Sequence, residues 1–405
     1  MAKALLSDLS DAALQGLRVL VRADLNVPLD AAGEVSDDTR IRASLPTLAR
    51  LTSAGARVVL LSHLGRPKGV PDPAFSLAPV ARALAAALDA PVRFVPQLVG
   101  PSVDEAIRSL GDGELLLLEN TRFDPGETAN DPALAEVLGG YGDLFVNDAF
   151  GTAHRAHAST EGVARHIRAG GGQAVAGLLL ARELRFLGGA LSAPERPFVA
   201  ILGGAKISGK IDVVEALLPR VDRLLIGGAM ANTFLLALGF DVGRSLVEPD
   251  RVDMARELLE RAGESLILPV DVRVADEIAP DATVRVAARG GVRPEERIGD
   301  IGPDTERLFA DEIRAAKTVL WNGPMGVFEM TPFREGTVGV ARAAADASAA
   351  GAITVLGGGD SAAAAEVAGV ADDLTHISTG GGASLEFLAG SPLPGIEALS
   401  EGENQ

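Results

Sequence analysis

The chain of 405 residues contains no cysteine, only five lysines and no long uncharged apolar run. Without cysteine there is no disulfide, no thiolate nucleophile and no cysteine-ligated zinc, which is compatible with a reducing compartment. No stretch approaches 18 uncharged apolar residues, so neither a membrane span nor a signal peptide is visible and a cytoplasmic location is expected. Positive charge is also short: the formal net charge is −18. Duplex nucleic acid is a poor partner for such a chain, because its affinity comes from many Lys and Arg contacts to phosphates. A small anion is not excluded. Residues 1–170 carry 16 basic and 21 acidic side chains (net −5), and the remainder 21 and 34 (net −13). Local basic clusters can focus an anion even in an unfavourable overall field.

What is present is ordinary for a globular protein, 47% hydrophobic and 23% charged. The length exceeds what one core usually supports, so two domains are expected. Runs apolar at nearly every position recur from the start: RVLVRADLNV, ARVVLLSH, VRFV, ELLLLEN and LFVNDAF. Such runs imply strands covered on both faces, and their alternation with helical patterns such as LAPVARALAAAL implies a mainly parallel, doubly wound sheet. A glycine-rich break, AGGGQ at 169–173, precedes the helix-like stretch AVAGLLLARELRFLGGAL. The pattern then restarts with FVAILGG, RLLIGG, SLILPVDVRVA, TVLWNGP, AITVLGGG and HISTGGG, predicting a second α/β sheet. The expected domains are 1–172, then 173–385 beginning with a joining helix, with a tail of about 386–405.

The stretch FVNDAFGTAHRAHAST (145–160) places His154 and His157 on either side of Arg155. A metal site, a nucleic-acid contact and an anion pocket all remain open, although zinc needs three or four ligands. The run Leu144–Val146 suggests a strand ending at Asn147–Asp148, so the basic residues fall just past a carboxyl end, where open α/β sheets bind ligands. Other residues similarly placed are Arg22, Asp24, Asn26, Arg40, Arg42, His63, Arg66 and Arg122. Each alone reads as a surface or ion-paired side chain. Their repeated position beside Gly, Asn and Pro in loops favours a site.

In the second half, glycine clusters follow four expected strands: Gly203–Gly204, Gly227–Gly228, Gly357 to Gly359 and Gly380 to Gly382. One cluster is a turn; four at corresponding ends suggest backbone amides approaching phosphates. Gly204, Gly209 and Lys210 satisfy G-x-x-x-x-G-K, but Ile211 stands where a P-loop needs Ser or Thr. Lys206 and Lys210, four apart, would crowd like charges on a helix unless an anion lay between them. Gly357, Gly359 and Ala362 fit a dinucleotide fingerprint without its acidic partner, which disfavours a dehydrogenase. Asp360 after those glycines suits a phosphate bridged by Mg²⁺, or else caps the next helix.

Across nearly its whole length the sequence resembles the phosphoglycerate kinase family through VRADLNVP, SHLGRP, LLENTRF, NDAFGTAHRAHAST, GGAKISGKI, WNGPMGVFE, GGGDSAAA and STGGGASLEFL. Gly209 departs from the Asp that many members carry. The resemblance implies two Rossmann-like lobes, 3-phosphoglycerate on the first and Mg-ADP or Mg-ATP on the second, in a monomer without nucleic-acid or membrane partners. It implies glycerate contacts from Asp24, Leu25, Asn26, Arg40, His63, Leu64, Gly65, Arg66, Arg122 and Arg155. Around the nucleotide it implies Gly203, Gly204, Lys206, Lys210, Gly228, Gly299, Asn322, Pro324, Glu329, Gly357, Gly358, Gly359, Asp360 and Ser361, with Asp360 nearest Mg²⁺. Arg40, Lys206, Gly380 and Gly381 are the implied stabilisers of the transferring phosphoryl group, and the tail is implied to return to the first lobe. Two rivals of other classes are a P-loop-like ATP hydrolase and a non-catalytic anion-binding regulator.

Overall fold

A computed structural model describes residues 3–402, which fall into two units: one runs to Arg185 and includes the chain from Pro392, the other is Phe186–Ser391. The first is built on β1 (Arg18–Ala23), β2 (Arg57–Leu61), β3 (Val92–Val95), β4 (Leu115–Leu118), β5 (Leu144–Asp148) and β6 (Gln173–Ala176). These form one sheet, all parallel, in the order β3-β4-β2-β1-β5-β6. Strands β4 and β5 are buried at every residue, as continuous apolar runs require when helices cover both faces. The helix Thr39–Ser53 lays a stripe of Ile41, Ser44, Thr47, Leu48 and Leu51 inward, at the i, i+3, i+7 spacing of one helical face.

The second unit contains β7 (Phe198–Leu202), β8 (Arg223–Ile226), β9 (Leu266–Ile267), β10 (Asp271–Ala275), β11 (Arg285–Ala288), β12 (Arg297–Ile301), β13 (Thr318–Asn322), β14 (Ile353–Gly357) and β15 (His376–Ile377). Six of them make a parallel sheet ordered β15-β14-β13-β7-β8-β9. The other three make a separate antiparallel sheet, β11-β10-β12, which the periodicity does not announce. The run SLILPVDVRVA is therefore two strands in two sheets, interrupted at Pro269.

In each parallel sheet the chain winds outward in opposite directions from a central pair, β1 and β5 in the first and β7 and β13 in the second. Their carboxyl ends are the switch points where ligands bind such folds. One expectation is corrected here. The residues QAVA after the glycine break are not helix but strand β6, hydrogen-bonded to β5, and the helix begins only at Leu178 and runs to Ser192. Residues 392–402 lie on the first unit: Asn147 Nδ2 donates to Gly395 O (2.9 Å), and Lys3 pairs with Glu401 (2.8 Å).

Candidate active site

At the carboxyl ends of β1, β2, β4 and β5 the first unit gathers cations over a buried polar floor. Arg22, one residue before the end of β1, is fully buried. Its Nε donates to Ser159 Oγ (2.8 Å), while Nη2 lies 3.1 Å from His63 Nδ1. Ser159 donates in turn to the buried Glu127 (2.7 Å). Burial and the guanidiniums of Arg22, Arg122 and Arg40 hold His63 well below the ordinary histidine range, so it is neutral. Above this floor, Asp24 Oδ2 accepts from Arg40 Nη1 (2.6 Å). Asn26 Oδ1 accepts the Gly65 N–H (2.8 Å), and Ser62 Oγ accepts the Leu25 N–H (2.9 Å). Asn120 holds the Leu64 carbonyl (2.7 Å), and Arg122 Nη1 holds the Gly65 carbonyl (2.7 Å).

Burial first, then the nearby charges of Arg22, Arg155 and Arg66, lower Arg122 to about 10, with Glu127 opposing. Burial is the main cause and the neighbouring guanidiniums add to it; such a cluster has the charge to hold an anion. Arg66 and Arg155 are exposed at its edge, and Arg155 Nε donates to His154 Nε2 (3.0 Å). His157 is buried with its Nδ1 3.7 Å from Glu127 and is pushed down to about 4, chiefly by desolvation. Among the described residues no group of three His, Asp or Glu side chains is arranged to hold a metal ion. Arg42 does not join the cluster: it pairs with Asp38 (2.8 Å) on the exposed side of its helix.

In the second unit, all four glycine clusters fall at strand ends. Gly203 packs so closely on the β13 end that an added Cβ would lie 2.1 Å from Pro324 O, and Gly204 N–H donates to that same oxygen (2.9 Å). Gly228 has φ +65°, and its Cβ would lie 2.5 Å from Gly204 N. Asn322 Nδ2 donates to Gly357 O (2.7 Å), and Ser361 Oγ accepts the Gly323 N–H (2.7 Å). A cavity of about 330 Å³ is lined here by Lys206, Lys210, Gly357 to Gly359 and Gly381, among others. A second, of about 320 Å³, is lined by Gly228, Gly299, Pro324 and Glu329; both share Gly204 and Asp360. Gly380 N–H donates to Ser378 Oγ (3.1 Å).

The lysines do not share a helix, which starts only at Ile211, so the crowding expected of an i, i+4 pair is absent. Lys206 is exposed in the loop, whereas Lys210 turns back and donates to the carbonyls of Gly203 (2.7 Å) and Asn322 (2.9 Å). Desolvation lowers Lys210 to about 8, against the pull of Asp360. Asp360 is not the cap of the helix Gly359–Ala368; Gly358 holds that position at φ +94°, leaving the carboxylate exposed in the first turn.

The phosphoglycerate kinase family profile matches residues 9–391. The chain belongs to the phosphoglycerate kinase family. A phosphoglycerate kinase of Chloroflexus aurantiacus is 56% identical over 393 residues, covering 96% of this chain and 97% of the relative. One of Chlorobium limicola is 54% identical over 397 residues, covering 97% and 99%. Among solved structures, phosphoglycerate kinase from Coxiella burnetii matches with a TM-score of 0.87 at 42% identity, and that from Pyrococcus horikoshii OT3 with 0.83 at 34%. Each match covers 98% of both chains.

Within this phosphoglycerate kinase fold, several residues of the two sites escape sequence reasoning. Glu127 lies in a stretch with no local motif, and although Ser159 falls within FVNDAFGTAHRAHAST, only the topology shows the two meeting beneath Arg22. Asp300 lines the second cavity and accepts the Gly336 N–H (2.8 Å), with burial pushing its carboxyl up to about 8. Asn232 and Arg244, also on that cavity, lie on no strand-end glycine motif that would have exposed them.

Proposed function

We propose that this phosphoglycerate kinase family member transfers a phosphoryl group reversibly between 1,3-bisphosphoglycerate and ADP, giving 3-phosphoglycerate and ATP. The observation that carries this reading is the gathering of Arg22, Arg40, Arg66, Arg122 and Arg155 at the carboxyl ends of one sheet, five guanidiniums beside the two carboxylates Asp24 and Glu127. On this reading 3-phosphoglycerate takes Asp24, Asn26, His63, Arg66, Arg122 and Arg155, with Asp24 accepting a hydroxyl and the guanidiniums meeting phosphate and carboxylate. Arg155 answers to the anion and the flanking histidines to the pocket's shape. The nucleotide takes the glycine cradle of the second unit, with Lys206 and Lys210 at its phosphates and Glu329 and Gly299 in the adjoining cavity.

The attacking group, a carboxylate or a phosphate oxygen, is already ionised, so no general base is required. The protein's work is alignment and electrostatic stabilisation. Arg40 and Lys206 are assigned to the charge that develops on the group in transfer, together with the amides of Gly380 and Gly381. Asp360, a lone carboxylate in the first turn of its helix, suits Mg²⁺, an ion bound through one or two carboxylates plus substrate phosphates. Bound there, the ion would neutralise nucleotide phosphate charge. The reading includes a monomeric enzyme of the cytoplasm; among the described residues no helix is long and apolar enough to cross a membrane.

ADP formation from Mg-ATP, measured with and without 3-phosphoglycerate, tests the proposal. Formation only with 3-phosphoglycerate is expected. Turnover without it would indicate an ATP hydrolase, and none under either condition a binding protein.

A further inference from the structure

The residues Asn147–Asp148 end β5 immediately before the loop that carries Arg155, yet they have no part in the scheme above. Asp148 is fully buried. Its Oδ1 accepts the N–H groups of Leu179 (2.9 Å) and Leu180 (3.1 Å), two of the amides that a helix leaves without partners at its start. Gly177 N–H donates to Asn147 O (2.9 Å), and Leu178 N–H to Thr47 Oγ1 (2.9 Å). Every amide from 177 to 180 is therefore held by the strand end or by Thr47. The approach is so close that a Cβ on Gly177 would lie 2.2 Å from Asp148 Oδ1. Thr47 lies seven residues, two turns, after Arg40 on one helix, so it shares Arg40's face. Asn147 meanwhile holds the returning tail through Gly395.

We infer that Asp148 is a positioning residue. It pins the first turn of helix 178–192 to the strand end that feeds the Arg155 loop, so that occupancy of the glycerate site is transmitted into the helix leading to the second unit. This rests on the proposed function, because it assigns a role within that reaction. A neutral amide could accept the same two N–H groups. Burial pushes the carboxyl up to about 6, and the Leu179 and Leu180 amides oppose that by holding its charged form at the join between strand and helix.

The test compares the full chain with Asp148→Asn and Asp148→Ala. The readouts are turnover, equilibrium affinity for 3-phosphoglycerate and for ATP separately, and melting temperature at pH 7.5. The Asn variant should melt at or above the parent and bind each ligand within about threefold. Its turnover should fall roughly tenfold to 100-fold, the scale that small misplacements reach. The Ala variant should melt lower and be at least as slow. An Asn variant as active as the parent overturns the coupling role alone. One whose melting temperature and turnover fall together is a mere helix cap and also overturns it. A parent that forms no ADP in response to 3-phosphoglycerate overturns the kinase reading and this role with it.

Discussion

Arg40 shows how far a side chain's partner can depart from its neighbours in sequence. In DDTRIRA the adjacent Asp37 and Asp38 are the obvious ion-pair candidates, but Asp37 accepts from Thr39 and Asp38 takes Arg42. Arg40 instead reaches Asp24 (2.6 Å), a carboxylate assigned to the substrate. Such a partly exposed pair contributes at most ~1 kcal/mol, so Arg40→Ala and Arg40→Lys should both fold and melt near the parent. Turnover should fall roughly 10³-fold in each, since Lys cannot reproduce the guanidinium fork beside a phosphoryl group in transfer. Steady-state rates and melting curves on the three proteins decide it; near-normal turnover with a large melting loss would return Arg40 to a structural ion pair. Lys206→Ala should likewise lose turnover more than nucleotide affinity. Lys210 offers a test in protons. Its ammonium is depressed to about 8, so at pH 8 about half the molecules hold it neutral, and a bound polyphosphate would raise its pKa. Calorimetric titrations with ATP at pH 8, in buffers of different ionisation enthalpy, should show uptake of up to about half a proton, and Lys210→Met should abolish it. For stability the sign is that of a depressed base: the cost of the buried charge is full below pH 8 and is relieved as pH rises from 8 toward 10.5.

Secondary-structure elements place these residues, and glycines at strand ends set how closely the elements approach. Gly203→Ala should destabilise by roughly 2 kcal/mol or more, because its Cβ meets Pro324 O, a backbone atom that cannot swing aside. Gly359→Ala is the contrasting case, with nothing within 4 Å of the added carbon. It should melt like the parent but bind ATP more weakly, as the space it fills is where phosphates would approach the helix terminus. Equal ATP affinity in the Gly359 variant would remove that glycine from the nucleotide cradle. The same elements show what was legible in sequence. Apolar runs such as LLLL and FVAIL have to be covered on both faces, so the central strands and their glycine ends could be read without a structure. Strand β6, QAVA, could not, because this short segment followed by a leucine run matches a helix as well as a strand until β5 offers its edge. The antiparallel strands β11 and β12, RVAA and RIGDI, have mixed burial and carry no continuous apolar signal. Lys206 and Lys210 were legible as a pair but not in their geometry, because a loop rather than a helix separates them. The floor of Arg22, Ser159 and Glu127 spans 137 residues between its first two members, a separation that no local pattern encodes.

For the molecule as a whole, the assignment of 3-phosphoglycerate to one unit and nucleotide to the other has a mechanical consequence. In-line transfer requires donor and acceptor oxygens on opposite sides of one phosphorus, so neither ligand alone completes the reacting assembly. On that assignment, the cations of the first unit and the lysines and glycine amides of the second would gain most when both anions are present and water is excluded. The ligands' differential affinity should therefore favour a closed population, and only jointly. The chain between the units offers few places for such a change: the helix Leu178–Ser192, within which the division between the units falls, and the return near Ser391–Pro392. Solution scattering should give a smaller radius of gyration with 3-phosphoglycerate and a non-hydrolysable Mg-ATP analogue together than with either alone. Asp148→Asn, with both ligands bound at near-parental affinity, should show less of that decrease. If the parent keeps one radius with either ligand alone and with both together at saturation, transfer without closure is the better account, and the loss of turnover expected for Asp148→Asn would need another cause.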